Sequence, residues 1–264
     1  MRTAIKEAKR IIVKIGTSSL NHENGKLDLE KMERLARVLT DLNNSGKEIV
    51  LVSSGAIGAG MQRIGRNKRP EELPLKQATA AIGQAILMKM YQKFFDEYNQ
   101  VIAQILLTKD VMNDPIKKSN AKNTFETLIE LGVIPIINEN DCISTAQIEG
   151  YRFGDNDTLS AMVAELIDGD LLVLLTDIDG LYTSNPKENK DATLISEVDE
   201  MTDELKQNAG GAGSKMGTGG MITKLLAAEI AKACGTQTIV ASGEHIDILR
   251  EIVKGEPIGT WFKA

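Results

Sequence analysis

Ile11-Ile12-Val13-Lys14-Ile15-Gly16-Thr17-Ser18-Ser19 decides how the rest of the chain is read. Side chains alternate across a strand, so Ile11, Val13 and Ile15 share one face and Ile12, Lys14 and Gly16 share the other. An apolar strand without polar alternation is one covered on both sides, as in a parallel sheet flanked by helices. Lys14 breaks that pattern. A lysine among buried aliphatics is costly unless an anion compensates it, and Gly16, lacking a Cβ, lets backbone N–H groups approach such an anion. The plainer alternative is a sheet-edge lysine whose stem snorkels ahead of a turn.

Outward from this segment, apolar runs at 48–52, 101–106, 133–137, 171–176 and 238–241 also read as strands. Segments 29–44, 77–98, 120–131, 159–167, 221–233 and 246–253 have helical spacing. Strands alternating with helices predict right-handed crossovers and an α/β fold, a three-layer αβα sandwich around a mainly parallel sheet. Gly46, Gly132 and Gly235 each stand between a helix and the next strand, where C-terminal capping glycines belong. In the helix 77–98, Ile82, Ile86, Met90 and Phe94 form a stripe at four-residue spacing. That stripe suits the core, the commoner outcome, or a subunit interface.

The chain has 264 residues, 42% hydrophobic and 26% charged, an ordinary globular composition long enough for a sizeable core. No apolar run approaches the roughly 20 residues of a membrane span, and Lys14 interrupts the first one too early for a signal peptide. A soluble, cytoplasmic protein is expected. Lys and Arg total 31 against 37 Asp and Glu, a net charge of −6, and aromatics make up 4%. Neither a duplex-binding surface nor a base-stacking one is expected from that balance, so no nucleic acid partner is. Two cysteines fit a reducing compartment, and two histidines nearly exclude a His-based zinc site.

Ligands of open α/β sheets bind beyond the carboxyl ends of the strands, and the informative residues stand there. The second strand runs into Ser53-Ser54-Gly55-Ala56-Ile57-Gly58, small residues opening a helix whose free N–H groups suit an anion. A tight connection with Ser54 as N-cap is equally plausible locally. After 133–137 comes Asn138-Glu139-Asn140-Asp141, and later in the same loop Gly154-Asp155-Asn156-Asp157. These amides and carboxylates suit the polar ends of a small amino acid, although Asp or Asn at a helix start also needs no ligand. The strand 171–176 delivers Thr176 and Asp177, a hydroxyl and a carboxylate suited to a nucleotide or to a polar turn.

The sharpest local signal lies between Gly210 and Gly220, where six of eleven residues are glycine, followed by Met221-Ile222-Thr223-Lys224. A lysine in the first turn opposes the helix dipole. A polyphosphate reverses the sign, because amides, dipole and lysine then attract it together. The alternative is a solvated glycine loop. The P-loop and dinucleotide patterns are both absent.

Taken together, these stretches resemble the amino-acid kinase family, in the family's order and over nearly the whole chain, ending at Gly259-Thr260-Trp261-Phe262. Within it the likeness is to the branch that phosphorylates free glutamate. The resemblance implies one amino-acid kinase domain over residues 1–264, with an N-terminal glutamate-binding lobe and a C-terminal ATP-binding lobe. The implied reaction is ATP-dependent phosphorylation of the L-glutamate side-chain carboxylate to L-glutamyl 5-phosphate, the first step of proline biosynthesis. By the same likeness Lys14, Lys224 and Asp157 are catalytic, and Ser54, Asp141 and Asn156 bind glutamate. ATP binding falls to Lys14, Gly16, Thr176, Asp177, Thr218, Gly219, Gly220, Met221 and Lys224.

Mg²⁺ is expected to ride mainly on the ATP phosphates. Many members of that branch append a C-terminal PUA domain, an RNA-binding type of module, and this chain stops before one. Proline feedback and assembly size, where they depend on that module, are therefore open; a homo-oligomer, dimer or tetramer, is expected. Acetylated glutamate, carbamate and UMP are the alternative acceptors. A catalytically dead nucleotide-binding regulator would have lost a lysine or Asp157, and an RNA-associated protein would need a basic face.

Overall fold

The computed structural model describes residues 1–22, 24–66, 70–143, 156–186, 188–203, 205–206 and 220–264. Among them, eight strands form one sheet in the order β3-β4-β2-β1-β5-β7-β8-β6. These are β1 Arg10–Ile15, β2 Glu48–Ser53, β3 Ile102–Leu107, β4 Ile134–Glu139, β5 Leu171–Thr176, β6 Glu197–Val198, β7 Gln237–Ser242 and β8 Thr260–Phe262. Neighbours from β3 through β7 run parallel; β8 pairs antiparallel with β7 and parallel with β6.

Alternation along the strands sorts the core into two layers. Ile11, Val13, Ile15, Leu51, Val173 and Leu175 pack on one side with helices α3 (Leu29–Asn44), α5 (Leu73–Asp96) and α9 (Ile248–Val253). Ile12, Val50, Val52, Leu172, Leu174 and Val240 pack on the other with α6 (Pro115–Glu130), α7 (Asn156–Leu166) and α8 (Met221–Ala233). The expected αβα sandwich is thus observed. The other α-helices given among the described residues are α1 (Thr3–Glu7), α2 (Thr17–Leu20) and α4 (Ala56–Arg63), with a 3₁₀ helix at Lys109–Asn113. Gly46, Gly132 and Gly235 have φ of 92°, 72° and 80°, the left-handed conformation that closes a helix and suits a residue without a Cβ.

Register sets the site. Lys14 lies beside Val52 on one neighbour and Leu174 on the other, and Ile15 lies beside Ser53 and Leu175. Gly16, Ser54 and Thr176 therefore emerge level with one another. Strands after β1 build outward toward β3, whereas β5 returns to the opposite side of β1. That reversal opens a crevice where ligands of such sheets bind.

Helix α5 corrects one sequence expectation. Its buried stripe is Gly83, Leu87, Tyr91 and Phe95, one residue round from Ile82, Ile86, Met90 and Phe94. Ile82 is 38% exposed, while Met90 and Phe94 lie partly buried on the core's flank.

Candidate active site

A cavity of about 620 Å³ opens over the strand ends, within the size range of small-molecule sites. Its wall includes Lys14 and Gly16 from the end of β1, Ser54 to Gly58 after β2, Asn138 and Glu139 at the end of β4 with Asp141 beyond it, Asn156 at the start of α7, Thr176 at the end of β5 with Asp177 beyond it, and Lys224.

At its floor, two lysines from opposite ends of the chain meet one carboxylate. Lys14 Nζ is 2.5 Å from Asp157 Oδ1, and Lys224 Nζ is 3.1 Å from Asp157 Oδ2. All three are buried: Lys14 is 4% exposed, Lys224 3% and Asp157 0%. Burial by itself would push the Asp157 carboxyl up. The two ammonium groups, with hydrogen bonds from Lys14 and Thr223, outweigh it and hold the group below the usual carboxylate range. The Thr223 hydroxyl sits 2.8 Å from Asp157 Oδ2 and 2.7 Å from the Gly220 carbonyl; its one hydrogen serves either.

Two buried ammonium groups converge on Asp157 at the cavity floor, an arrangement suited to an anion in the cavity. The plainer alternative fails for Lys14. Lys14 is on a central strand with parallel neighbours on both sides, so it is not an edge lysine. Asp157 spends its carboxylate on lysines, beyond any favourable interaction with the start of α7.

Next to the lysines lies a polar wall. Asn156 Nδ2 lies 2.8 Å from Ser54 Oγ, 3.0 Å from Asn138 Oδ1 and 3.1 Å from the Ser53 carbonyl oxygen, and its two hydrogens are shared among these acceptors. Ser54 does not cap α4: the N-cap is Gly55, at φ 109° and without a side-chain cap bond. This leaves the Ser54 hydroxyl to its contact with Asn156, and the first residues of α4, Ala56 to Gly58, line the cavity. On the other flank, Thr176 is buried and its hydroxyl donates to Asp177 at 3.0 Å.

Gly220 and Met221 begin α8 and are not on the cavity wall. Thr218, Gly219 and the rest of the glycine-rich run before Gly220, like Gly154 and Asp155, lie outside the described residues. Among the described residues no group of three or more His, Cys, Asp or Glu side chains is placed to hold a metal ion, and no helix is long and apolar enough to cross a membrane.

Several wall residues stand in no motif that the sequence reading singled out. Asn24, Gly25, Gln62 and Arg66 close the far side, and the Gln62 side chain donates to the Gly25 carbonyl. Behind the wall, Asn138 Nδ2 donates to Gln84 Oε1 of α5 at 2.8 Å, and Ser53 Oγ and the Tyr91 hydroxyl are 2.8 Å apart. Polar residues on a mostly apolar helix were the only available hint of the last two contacts.

A lysine pair on a buried aspartate, at the reversal point of a parallel αβα sheet, defines a fold and site of the kind suited to polyphosphate chemistry. The family model described as the amino acid kinase family matches residues 9–242, and the chain belongs to that family. The glutamate 5-kinase of Clostridium perfringens (strain 13 / Type A) is 53% identical over 265 residues, covering 100% of this chain and 98% of its own length. That of Listeria monocytogenes serovar 1/2a is 49% identical, covering 100% of this chain and 96% of its own length. The glutamate 5-kinase of Moorella thermoacetica is 50% identical over 261 residues, covering 99% of this chain but 68% of its own length.

Among solved structures, carbamate kinase from Giardia lamblia bound to AMP-PNP superposes with a TM-score of 0.66 at 18% identity, covering 98% of this chain and 99% of that one. UMP kinase from Bacillus anthracis gives 0.62 at 16% identity, covering 97% and 96%. These likenesses establish the fold.

Proposed function

We propose that this chain transfers the γ-phosphoryl group of ATP to the side-chain carboxylate of L-glutamate, giving ADP and L-glutamyl 5-phosphate, the reaction that opens proline biosynthesis. The observation that carries this reading is the approach of Lys14 and Lys224 to opposite oxygens of Asp157 beside the Ser54–Asn156 wall. Glutamate 5-kinases matching the whole chain favour glutamate as acceptor over carbamate or UMP.

The chemistry needs no general base. A glutamate carboxyl has a pKa of about 4.3, so the nucleophile is already ionised near neutral pH. One carboxylate oxygen attacks the γ-phosphorus, and the bond to the β,γ-bridging oxygen breaks. The obstacle is charge: two unit charges about 4 Å apart interact by roughly 4 kcal/mol at an effective dielectric of 20. Lys14 and Lys224 offset the developing charge on the transferring group, while Asp157 fixes where their ammonium groups point. Mg²⁺, carried on the ATP phosphates, supplies further neutralisation.

In this reading, Asp141 pairs with the substrate α-ammonium, and Ser54 and Asn156 orient the amino acid. Gly16, Thr176, Asp177 and the start of α8, with Thr218 to Met221, serve ATP. The lobes divide accordingly, glutamate toward the N-terminal half and ATP toward the C-terminal half.

The test is product trapping. With ATP, Mg²⁺ and free glutamate, hydroxylamine should capture the acyl phosphate as a hydroxamate, in step with ADP release. A parallel reaction with proline reads feedback directly. ADP release with carbamate or UMP and no hydroxamate from glutamate would reject the assignment.

A further inference from the structure

Helix α5 touches the amino-acid side of the site at three successive levels. Gly83 lies so close to α4 that a Cβ there would stand 1.7 Å from the Ala56 carbonyl oxygen and 2.5 Å from the Gly60 nitrogen. Gln84 accepts from Asn138, and Tyr91 meets Ser53. The middle contact has a polarity that backbone groups dictate.

The Glu139 backbone N–H can only donate, and it meets Asn138 Oδ1 at 2.9 Å. The amide nitrogen of Asn138 therefore faces the opposite way and requires an acceptor, which Gln84 Oε1 supplies. At the other end, the Ser53 carbonyl can only accept, so the atom of Asn156 that faces it is Nδ2. Asn156 Nδ2 also meets Asn138 Oδ1. Backbone groups thus set which way each amide must face, and Gln84 Oε1, the acceptor at the end of the relay Asn156 to Asn138 to Gln84, holds the Asn138 amide in that orientation. With Nδ2 turned to these acceptors, Asn156 offers its other amide atom, the acceptor Oδ1, to a ligand in the cavity it lines.

We propose that Gln84 is a positioning residue for substrate specificity: through Asn138 it holds Asn156 with its oxygen toward the substrate, selecting an acceptor that carries a hydrogen-bond donor such as the α-ammonium of an amino acid. This deepens, and rests on, the reading of the cavity as a glutamate site. Gln84 does not line the cavity and acts only through Asn138 and Asn156.

Two variants separate this role from a merely structural one. Gln84→Met keeps length and removes the acceptor; Gln84→Glu keeps an acceptor in the same place. Gln84→Met should raise the glutamate KM about tenfold, the scale of a lost hydrogen-bond partner, with the KM for ATP close to that of the unaltered enzyme and a melting temperature lowered by a few degrees. Preference for glutamate over glutarate, which lacks the ammonium, should fall by the same factor. Gln84→Glu should restore both. An unchanged glutamate KM in Gln84→Met, equal losses in both variants, or a parallel rise in the KM for ATP would overturn the role of Gln84. Absence of hydroxamate with the unaltered chain would instead overturn the function on which it rests.

Discussion

Lys14 and Lys224 close on opposite oxygens of a single carboxylate, that of Asp157. One comes from the first strand and the other from the first turn of α8, so only the finished fold brings them together. Because Asp157 keeps one partner when either lysine is removed, catalysis and folding can be separated at this cluster. Lys224→Met and Lys14→Met should each lower kcat by about 10²–10³-fold, the usual cost of one transition-state donor, with an unchanged circular dichroism spectrum. Retention of most activity by either variant would refute its assigned role.

Asp157 behaves differently. Asp157→Asn removes the carboxylate that both buried ammonium groups contact, and breaking a buried pair costs about 3–5 kcal/mol. The pH dependence has a definite sign. The folded carboxyl lies below its ordinary value, so its stabilisation is complete above the unfolded value of about 3.9. It is lost as pH falls through the lower, folded value. The stability gap between the unaltered chain and Asp157→Asn in urea unfolding should therefore be constant above about pH 5 and shrink below pH 4. A gap that widens in acid would contradict the pairing.

The sequence carried the strand ends well and helix α5 poorly, for reasons visible in particular residues. Leu171–Thr176, Leu29–Asn44 and Met221–Ala233 match their expected bounds, because an uninterrupted apolar run or a strong amphipathic period leaves little choice. The stripe on α5 was misplaced by one residue because Gly83 holds a buried position with no side chain, which hydrophobic periodicity cannot register. The starts of α5 and α6, at Leu73 and Pro115, were expected later in the chain, although proline in the first turn of each was an available signal. Strands β6 and β8 have two and three residues and exist through pairing with distant partners. At the site, Lys14, Ser54 and Asp141 stood beside strands, whereas Gln84 reaches Asn138 only through the packing of α5.

Two glycines on α4 make a paired test of that packing. A Cβ on Gly60 would stand 1.9 Å from the Thr79 carbonyl oxygen of α5, whereas one on Gly58 would meet nothing closer than the Asn21 side-chain amide at 3.9 Å. Overpacking costs about 1–3 kcal/mol and more when backbone must move. Gly60→Ala should therefore lower the melting temperature by several degrees, while Gly58→Ala, which gains helix propensity, should hold or raise it. Equal effects in thermal denaturation would mean that α4 and α5 are not in backbone contact.

If Asp141 pairs with the substrate ammonium, as proposed above, it distinguishes an amino acid from relatives that lack the ammonium. It stands on the cavity wall two residues beyond the end of β4, and free glutamate brings an ammonium that N-acetylglutamate lacks. A hydrogen bond to a charged group contributes about 1.5–3 kcal/mol, so Asp141→Asn should raise the glutamate KM by roughly 10–150-fold. The KM for ATP should stay near its original value, since Thr176, Asp177 and the lysines are untouched. Turnover of N-acetylglutamate, or of glutarate, should not suffer, because neither carries a positive charge for the carboxylate to pair with. Steady-state kinetics on the three acceptors reads the contrast, and an unchanged glutamate KM in Asp141→Asn would assign ammonium recognition to another group on this wall.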